Sequence, residues 1–307
     1  MKQTGFIYLS ITFIIPFLIK DSRKSIIDYP VSSSCFSCDK KEEGWIFCDD
    51  FETNEPLNKR YFEYSDDEGD FIRLEGIGTN GSAGMRVIFQ PGEVDAGSIK
   101  KSFGFTPGAY ISKNSSSPNK KFNEIYWRVD VKHQIDWIGG WPAKLSRATS
   151  LANENWAQGM IAHIWASGRN SNYLLLDPAT GIDVDGNLLS TVYNDFDNLR
   201  WLGNKEGITD IFDSNDAGKW NCIVGHVKLN TPGKSDGIFE FWINNILQAR
   251  SEKLNWHADW NQNSNNSLIN AVFFENYWNQ GSPKLQERYM DNILISTDRI
   301  YCDCNAN

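Results

Sequence analysis

Apolar and polar residues alternate in short runs along most of this chain. The clearest run is Ile125-Tyr126-Trp127-Arg128-Val129-Asp130-Val131, where every second side chain is apolar. That is the period of a strand with one buried face. Residues 222–229, 238–243 and 293–295 are strand-like in the same way. Trp45-Ile46-Phe47-Cys48 and Met85-Arg86-Val87-Ile88-Phe89 are further β-like runs, the second closed by Gln90-Pro91-Gly92. Residues 160–165 form a more continuous apolar run, as expected of a strand covered on both faces. Gly, Asn, Asp and Pro separate these runs, and residues 259–266 read as a polar loop. No long segment holds a helical apolar period, although residues 194–202 predict a short helical turn. Many strands with polar turns and no βαβ rhythm predict a sandwich or barrel.

The 307 residues suit one large β domain, for which we take residues 45–307. Residues 1–44 read as an export signal followed by a polar spacer. Lys2 and Lys20 flank an apolar run at 5–19, the length of a signal-peptide core and short for a membrane span. No A-x-A-like cleavage site follows it, so an uncleaved N-terminal anchor is the alternative. The six cysteines, Cys35, Cys38, Cys48, Cys222, Cys302 and Cys304, fit an oxidising compartment. We expect disulfides tying the N-terminal strand to the C-terminal one. The formal net charge of −9 argues against nucleic acid and anionic membrane surfaces, which are bound through clustered Lys and Arg. Twelve Trp supply core anchors and candidate sugar-stacking surfaces.

The strongest local motif is a hairpin over residues 220–245. Val227-Lys228-Leu229-Asn230-Thr231-Pro232-Gly233 leads through Asp236-Gly237 into Ile238-Phe239-Glu240-Phe241-Trp242-Ile243-Asn244-Asn245. The turn carries Pro, two Gly and an Asp, as strand reversal requires. This hairpin resembles that of the family 14 polysaccharide lyases, the alginate-lyase-like jelly rolls. It is also similar to the related glucuronan lyases and to a cellulose-induced, carbohydrate-binding relative. Further segments match in the same order: Asp49-Asp50-Phe51-Glu52, Gly81-Ser82-Ala83-Gly84-Met85-Arg86-Val87, Tyr126-Trp127-Arg128, and Asp291-Asn292-Ile293-Leu294-Ile295-Ser296-Thr297. The likeness covers residues 45–304. It departs where the family has Gly-Gly-Lys-Leu-Pro-Gly: here Trp141, Pro142 and Ala143 separate Gly140 from Lys144.

The resemblance implies a concanavalin-like jelly-roll β-sandwich of two antiparallel sheets and a polysaccharide partner containing uronate. The expected activity is lysis by β-elimination, with a non-catalytic carbohydrate-binding protein of the same fold as the alternative. A lyase needs a cation or amide to neutralise the uronate carboxylate, a base for the neighbouring proton, and an acid for the leaving oxygen. Arg128 and Lys144 are candidates for the first, His163 for the base, and Tyr277 for base or acid. Trp141, Trp165, Asn276 and Trp278 are the expected sugar contacts. His133 and His226 are expected to face solvent. A glycoside hydrolase would need two carboxylates roughly 5–10 Å apart, and no E-x-D-x-E-type strand occurs. The relatives also tie their first and last strands with calcium. The matching positions are Glu52 and Asp291, with backbone oxygens near Asn80 and Ala83. The run 177–185 is read as a turn. The protein is expected to act as a monomer.

Overall fold

The computed structural model describes residues 36–139, 143–167, 173–213, 216–262, 264 and 267–302. Two antiparallel sheets of eight strands each face one another, the architecture of a jelly-roll sandwich. The first sheet runs β14 (Ile246–Leu254), β13 (Gly237–Ile243), β12 (Trp220–Lys228), β6 (Glu124–His133), β16 (Gln286–Ser296), β4 (Gly84–Phe89) and β3 (Phe71–Leu74). Its remaining strand, β1 (Trp45–Asp49), pairs with β16. The second sheet runs β10 (Arg200–Trp201), β9 (Tyr173–Thr180), β8 (Gln158–Ala166), β7 (Lys144–Leu151), β15 (Ala271–Tyr277), β5 (Asp95–Ser102) and β2 (Glu63–Ser65). There β11 (Lys205–Asp210) pairs with β9.

The period of two seen in the sequence sets which side of each strand is dry. Ile125, Trp127, Val129 and Val131 of β6 join the same hydrophobic cluster as Leu145 of β7, Ala162 and Ile164 of β8, and Val272 and Phe274 of β15. Trp127 is fully buried, and its Nε1 donates to Ser146 Oγ of the opposite sheet at 3.1 Å, so the indole lies in the core without an orphaned donor. The neighbouring strand makes room for it with Gly225, where a Cβ would sit 2.3 Å from the Trp127 ring. Met160 faces the core as well, while Ile161, His163 and Trp165 lie on the other side of β8. That explains the continuous apolar run there.

Several expectations are corrected. His133 lies in the core, not toward solvent: Arg288 Nε donates to its Nε2 at 3.1 Å, and Trp137 packs 4.6 Å away. Burial and the adjacent Arg288 cation hold its pKa well below the usual histidine value. The segment before Trp45 packs as well, since Phe36 stacks on Trp45 at 5.8 Å and lies under the Arg128 guanidinium at 4.6 Å. The disulfides Cys38–Cys48 and Cys222–Cys302 fix that segment to β1 and the β12 hairpin to the C-terminal segment, rather than joining the first strand to the last. Cys35, Cys304 and the apolar run at 5–19 lie outside the described residues. Among the described residues no helix is long and apolar enough to cross a membrane.

His226 is also buried, on the outer side of the first sheet. It stacks on Tyr126 at 4.1 Å, and its ring nitrogens reach Glu240 Oε1 at 2.8 Å and Glu124 Oε1 at 2.9 Å. Burial opposes the charge on the ring, but the two carboxylates outweigh it and raise the pKa above 6.5. A raised folded-state pKa contributes stability that is complete below the unfolded value and disappears as pH rises through the folded one. The melting temperature is therefore expected to fall from mildly acid to mildly alkaline pH by more in the wild type than in His226→Gln. Parallel curves for the two proteins would show that the pair of carboxylates does not hold the charged ring.

Candidate active site

The open face of the second sheet carries a cleft of ≈ 580 Å³. Its lining extends from Trp201 on β10 to Asp95 and Lys100 on β5, so the cleft crosses the strands. Pairing registers bring six strands' side chains into one transverse row: Asp177 opposite His163, His163 opposite Arg147, Arg147 opposite Phe273, Phe273 opposite Lys100, and Lys100 opposite Glu63. A bulge at Leu145 makes the next position unusual. Lys144 pairs with Trp165 and Ser146 with Ile164, so one extra residue separates them. Without the bulge, Lys144 and Arg147 would point to opposite faces; with it both serve the cleft.

Arg147 is the buried anchor of this face. Its Nη2 donates to Glu275 Oε1 at 2.7 Å and its Nη1 to Asn194 Oδ1 at 3.0 Å, and it also contacts the Tyr193 hydroxyl. Tyr193 donates to the same Glu275 oxygen at 2.9 Å. Burial works to raise the Glu275 pKa, but Arg147, Lys144 and Lys100 together hold it below the usual value. Burial raises Tyr193, with Glu275 adding to it. Lys100 pairs with Glu63 and lies 5.2 Å over the Trp156 ring.

Lys144 stands apart. Its ammonium sits 4.4 Å over the ring of Tyr277, and no carboxylate among the described residues lies within ion-pair distance of it. It is 6% exposed, and burial lowers its pKa, with Arg147 adding to this and Glu275 opposing it at longer range. His163 is 2% exposed and stacked on Trp165 at 4.5 Å. Neither of its ring nitrogens has a hydrogen-bond partner among the described residues. Burial, then the Arg147 and Lys144 cations, hold it well below the usual histidine pKa, so the ring is neutral. Trp165, Trp201 and Phe196 continue as an aromatic wall, with successive ring centroids 5.9 and 6.5 Å apart. On one side burial raises Asp95; on the other it pushes Asp177 up to about 7. Asp177 belongs to strand β9 and not to the turn expected at 177–185.

Of the residues singled out by sequence, Lys144, His163, Trp165 and Tyr277 thus share the cleft. Arg128 does not: it lies on the first sheet in a bidentate pair with Asp130, both bonds 2.8 Å. Asn276 and Trp278 turn the other way from Tyr277, into the core. Asn276 donates to the Gly97 carbonyl at 3.1 Å, and Trp278 packs against Phe89 and Trp137. Trp141 lies outside the described residues. Arg147, Tyr193, Asn194, Lys100 and Trp201 were not singled out. The bulge hid Arg147, and the others sit on strands or loops without a distinctive pattern.

Glu52, Asp291, Asn80 and Ala83 do meet, at a tight loop over residues 79–83. Asp291 Oδ2 accepts from Thr79 N at 2.7 Å, Thr79 Oγ1 at 2.9 Å and Ser82 Oγ at 3.1 Å, while Glu52 Oε1 accepts from Ala83 N at 2.8 Å. Burial outweighs these bonds and pushes Asp291 up to about 7. Two carboxylates beside a loop rich in carbonyl and hydroxyl oxygens form the hard donor set that calcium takes, so the residues fit the ion. A separate group, Asp67, Asp70 and Glu93, brings its carboxylate oxygens within 4.8 Å of one another.

No family model and no curated protein matches this chain. Solved structures do. The endo-β-1,4-glucuronan lyase of the fungus Trichoderma reesei superposes with a TM-score of 0.55 at 12% identity, over 83% of this chain and 96% of that one. The alginate lyase vAL-1 from Chlorella virus gives 0.51 at 13% identity, over 76% and 90%. The marine PL-14 alginate lyase from Aplysia kurodai gives 0.50 at 13% identity, over 76% and 88%. These are the kinds of protein whose motifs the sequence resembles, and at such identity the likeness shows a shared fold.

Proposed function

We propose that the protein is an extracellular polysaccharide lyase that cleaves a uronate-containing polymer by β-elimination in the cleft of the second sheet. The supporting observation is the meeting of Lys144, His163 and Tyr277 there: among the described residues, an ammonium without a carboxylate partner, a neutral imidazole with both nitrogens unpartnered, and a phenol beneath the ammonium. Lys144 neutralises the substrate carboxylate and so acidifies the adjacent C–H. His163 takes that proton through a ring nitrogen. The electron pair left on carbon forms the double bond as the glycosidic C–O bond breaks, and the Tyr277 hydroxyl delivers a proton to the departing oxygen. Trp165, Trp201 and Phe196 offer ring faces to the sugar planes. The disulfides agree with work outside the cell.

The test is ultraviolet absorbance of the unsaturated uronate product on a panel of uronate polymers. One observation favours a second reading, a non-catalytic carbohydrate-binding protein. The aromatic wall is well exposed, with Trp201 at 40% and Phe196 at 54%, whereas His163 and Lys144 are nearly covered. Retention on an affinity gel without any absorbance rise would establish that reading and end the lyase one.

We propose that calcium binds at Glu52 and Asp291, with the carbonyls of Asn80 and Ala83 as further ligands. The ion would tie the loop at 79–83 to β16 and take no part in the cleft chemistry. Adding Ca²⁺ to chelator-treated protein is expected to release or absorb heat and raise the melting temperature, by about 2–3 kcal/mol of stability at a hundredfold excess over Kd. Asp291→Asn should abolish both. A melting temperature indifferent to Ca²⁺ in the wild type would remove the ion.

A further inference from the structure

We propose that the cleft takes a polymer whose uronate residues stand isolated between neutral sugars, rather than an uninterrupted polyuronate; this rests on the uronate reading above. A polyuronate presents a carboxylate at every sugar, so successive subsites must each supply positive charge or at least no negative charge. Among the described residues, the cation inventory of this face does not do so. Lys100 is engaged by Glu63, and Arg147 by Glu275. Lys144 remains as the one cleft-face cation, among the described residues, without an ion pair.

The flanks are acidic. In the strand order β9, β8, β7, β15, β5, Lys144 occupies the middle strand. Asp95, on β5, lines the cleft to one side, and Asp177 stands opposite His163 on β9 to the other. Neither has an ion-pair partner among the described residues; Asp95 accepts a hydrogen bond from the Gly97 amide at 3.3 Å. A uronate seated on Lys144 would place the carboxylates of uronate neighbours toward these acids, which must then either repel them or take up a proton, and both cost binding energy. A neutral neighbour meets no such penalty. It finds instead the Trp165–Trp201–Phe196 wall, which suits an uncharged sugar face. The chain's net charge of −9 adds a diffuse repulsion of the same sign.

The experiment measures initial rates by product absorbance, and retention on affinity gels, for two polyuronates, alginate and polyglucuronate, and for polymers alternating a uronate with a neutral sugar. The expected result is kcat/KM at least about tenfold higher on an alternating polymer. In Asp95→Asn the ratio of polyuronate to alternating rates should rise about threefold or more, as removal of a repelling charge requires. Equal or higher rates on the polyuronates, or a ratio that Asp95→Asn leaves fixed, overturn the inference while leaving the lyase reading intact. Absence of product from every polymer ends the lyase reading. In that case retention decides: preference for alternating polymers supports the inference, and preference for polyuronates or no retention at all overturns it.

Discussion

Lys144→Met is expected to lower kcat/KM on the cleaved polymer by about 10²–10³-fold while leaving the fold no less stable. The two halves have separate causes. In the elimination, negative charge spreads from the carbon that loses its proton into the carboxylate, and Lys144 is the one cleft-face cation among the described residues free to meet it. Methionine keeps the length and apolar stem but brings no charge. In the resting protein that ammonium is a burden: it is nearly buried, no carboxylate among the described residues touches it, and desolvation lowers its pKa from 10.5. A folded-state pKa below the unfolded one means that protonation disfavours the fold throughout the neutral range. Removing the charge relieves this, against a smaller loss of long-range attraction to Glu275 and Asp95. Product absorbance and a thermal scan on the same variant check both halves. A loss of activity accompanied by a clear drop in melting temperature would mean that Lys144 acts through the fold and not on the substrate.

How much was legible in the sequence follows from what a period of two can encode. The alternating runs at 125–131 and 238–243 lie within β6 and β13, and the run at 222–229 passes the end of β12 by one residue. The same period says that Tyr277, if it faces the cleft, must turn Asn276 and Trp278 inward, as it does. It also says that Arg128 points away from Trp127, hence out of the core; it does not say that the first sheet's outer side is a different surface from the second sheet's cleft. That depends on strand order, which comes from pairings far apart in the chain, such as β7 with β15. Arg147 was invisible for a local reason: the single extra residue at Leu145 inverts the parity between it and Lys144. The buried His133 and His226 were misjudged because alternation marks a strand's two faces, and both faces of the first sheet carry covered polar residues.

Arg147→Met should destabilise the protein by about 3–5 kcal/mol at neutral pH, the effect of stranding one partner of a buried ion pair. None of the Arg147 side chain is exposed, and its loss leaves the buried Glu275 with a single hydrogen bond, from the half-buried Tyr193. In the wild type the cations keep the Glu275 pKa below its usual 4.5, so the carboxylate's contribution to stability is present above that value and lost as pH falls through the folded one. In the variant burial prevails, the pKa rises, and the ionised form at neutral pH becomes a cost that protonation removes. The deficit relative to wild type is therefore largest at neutral pH and narrows toward about pH 4. Denaturant titrations at both pH values measure it. Adding Glu275→Leu should recover most of the loss at neutral pH, because an apolar pair avoids the desolvation that the ionised pair carries. A deficit that does not change with pH, or a double variant no better than the single one, would show that Arg147 stabilises the sheet through packing on Tyr193 and Phe273 and not through Glu275.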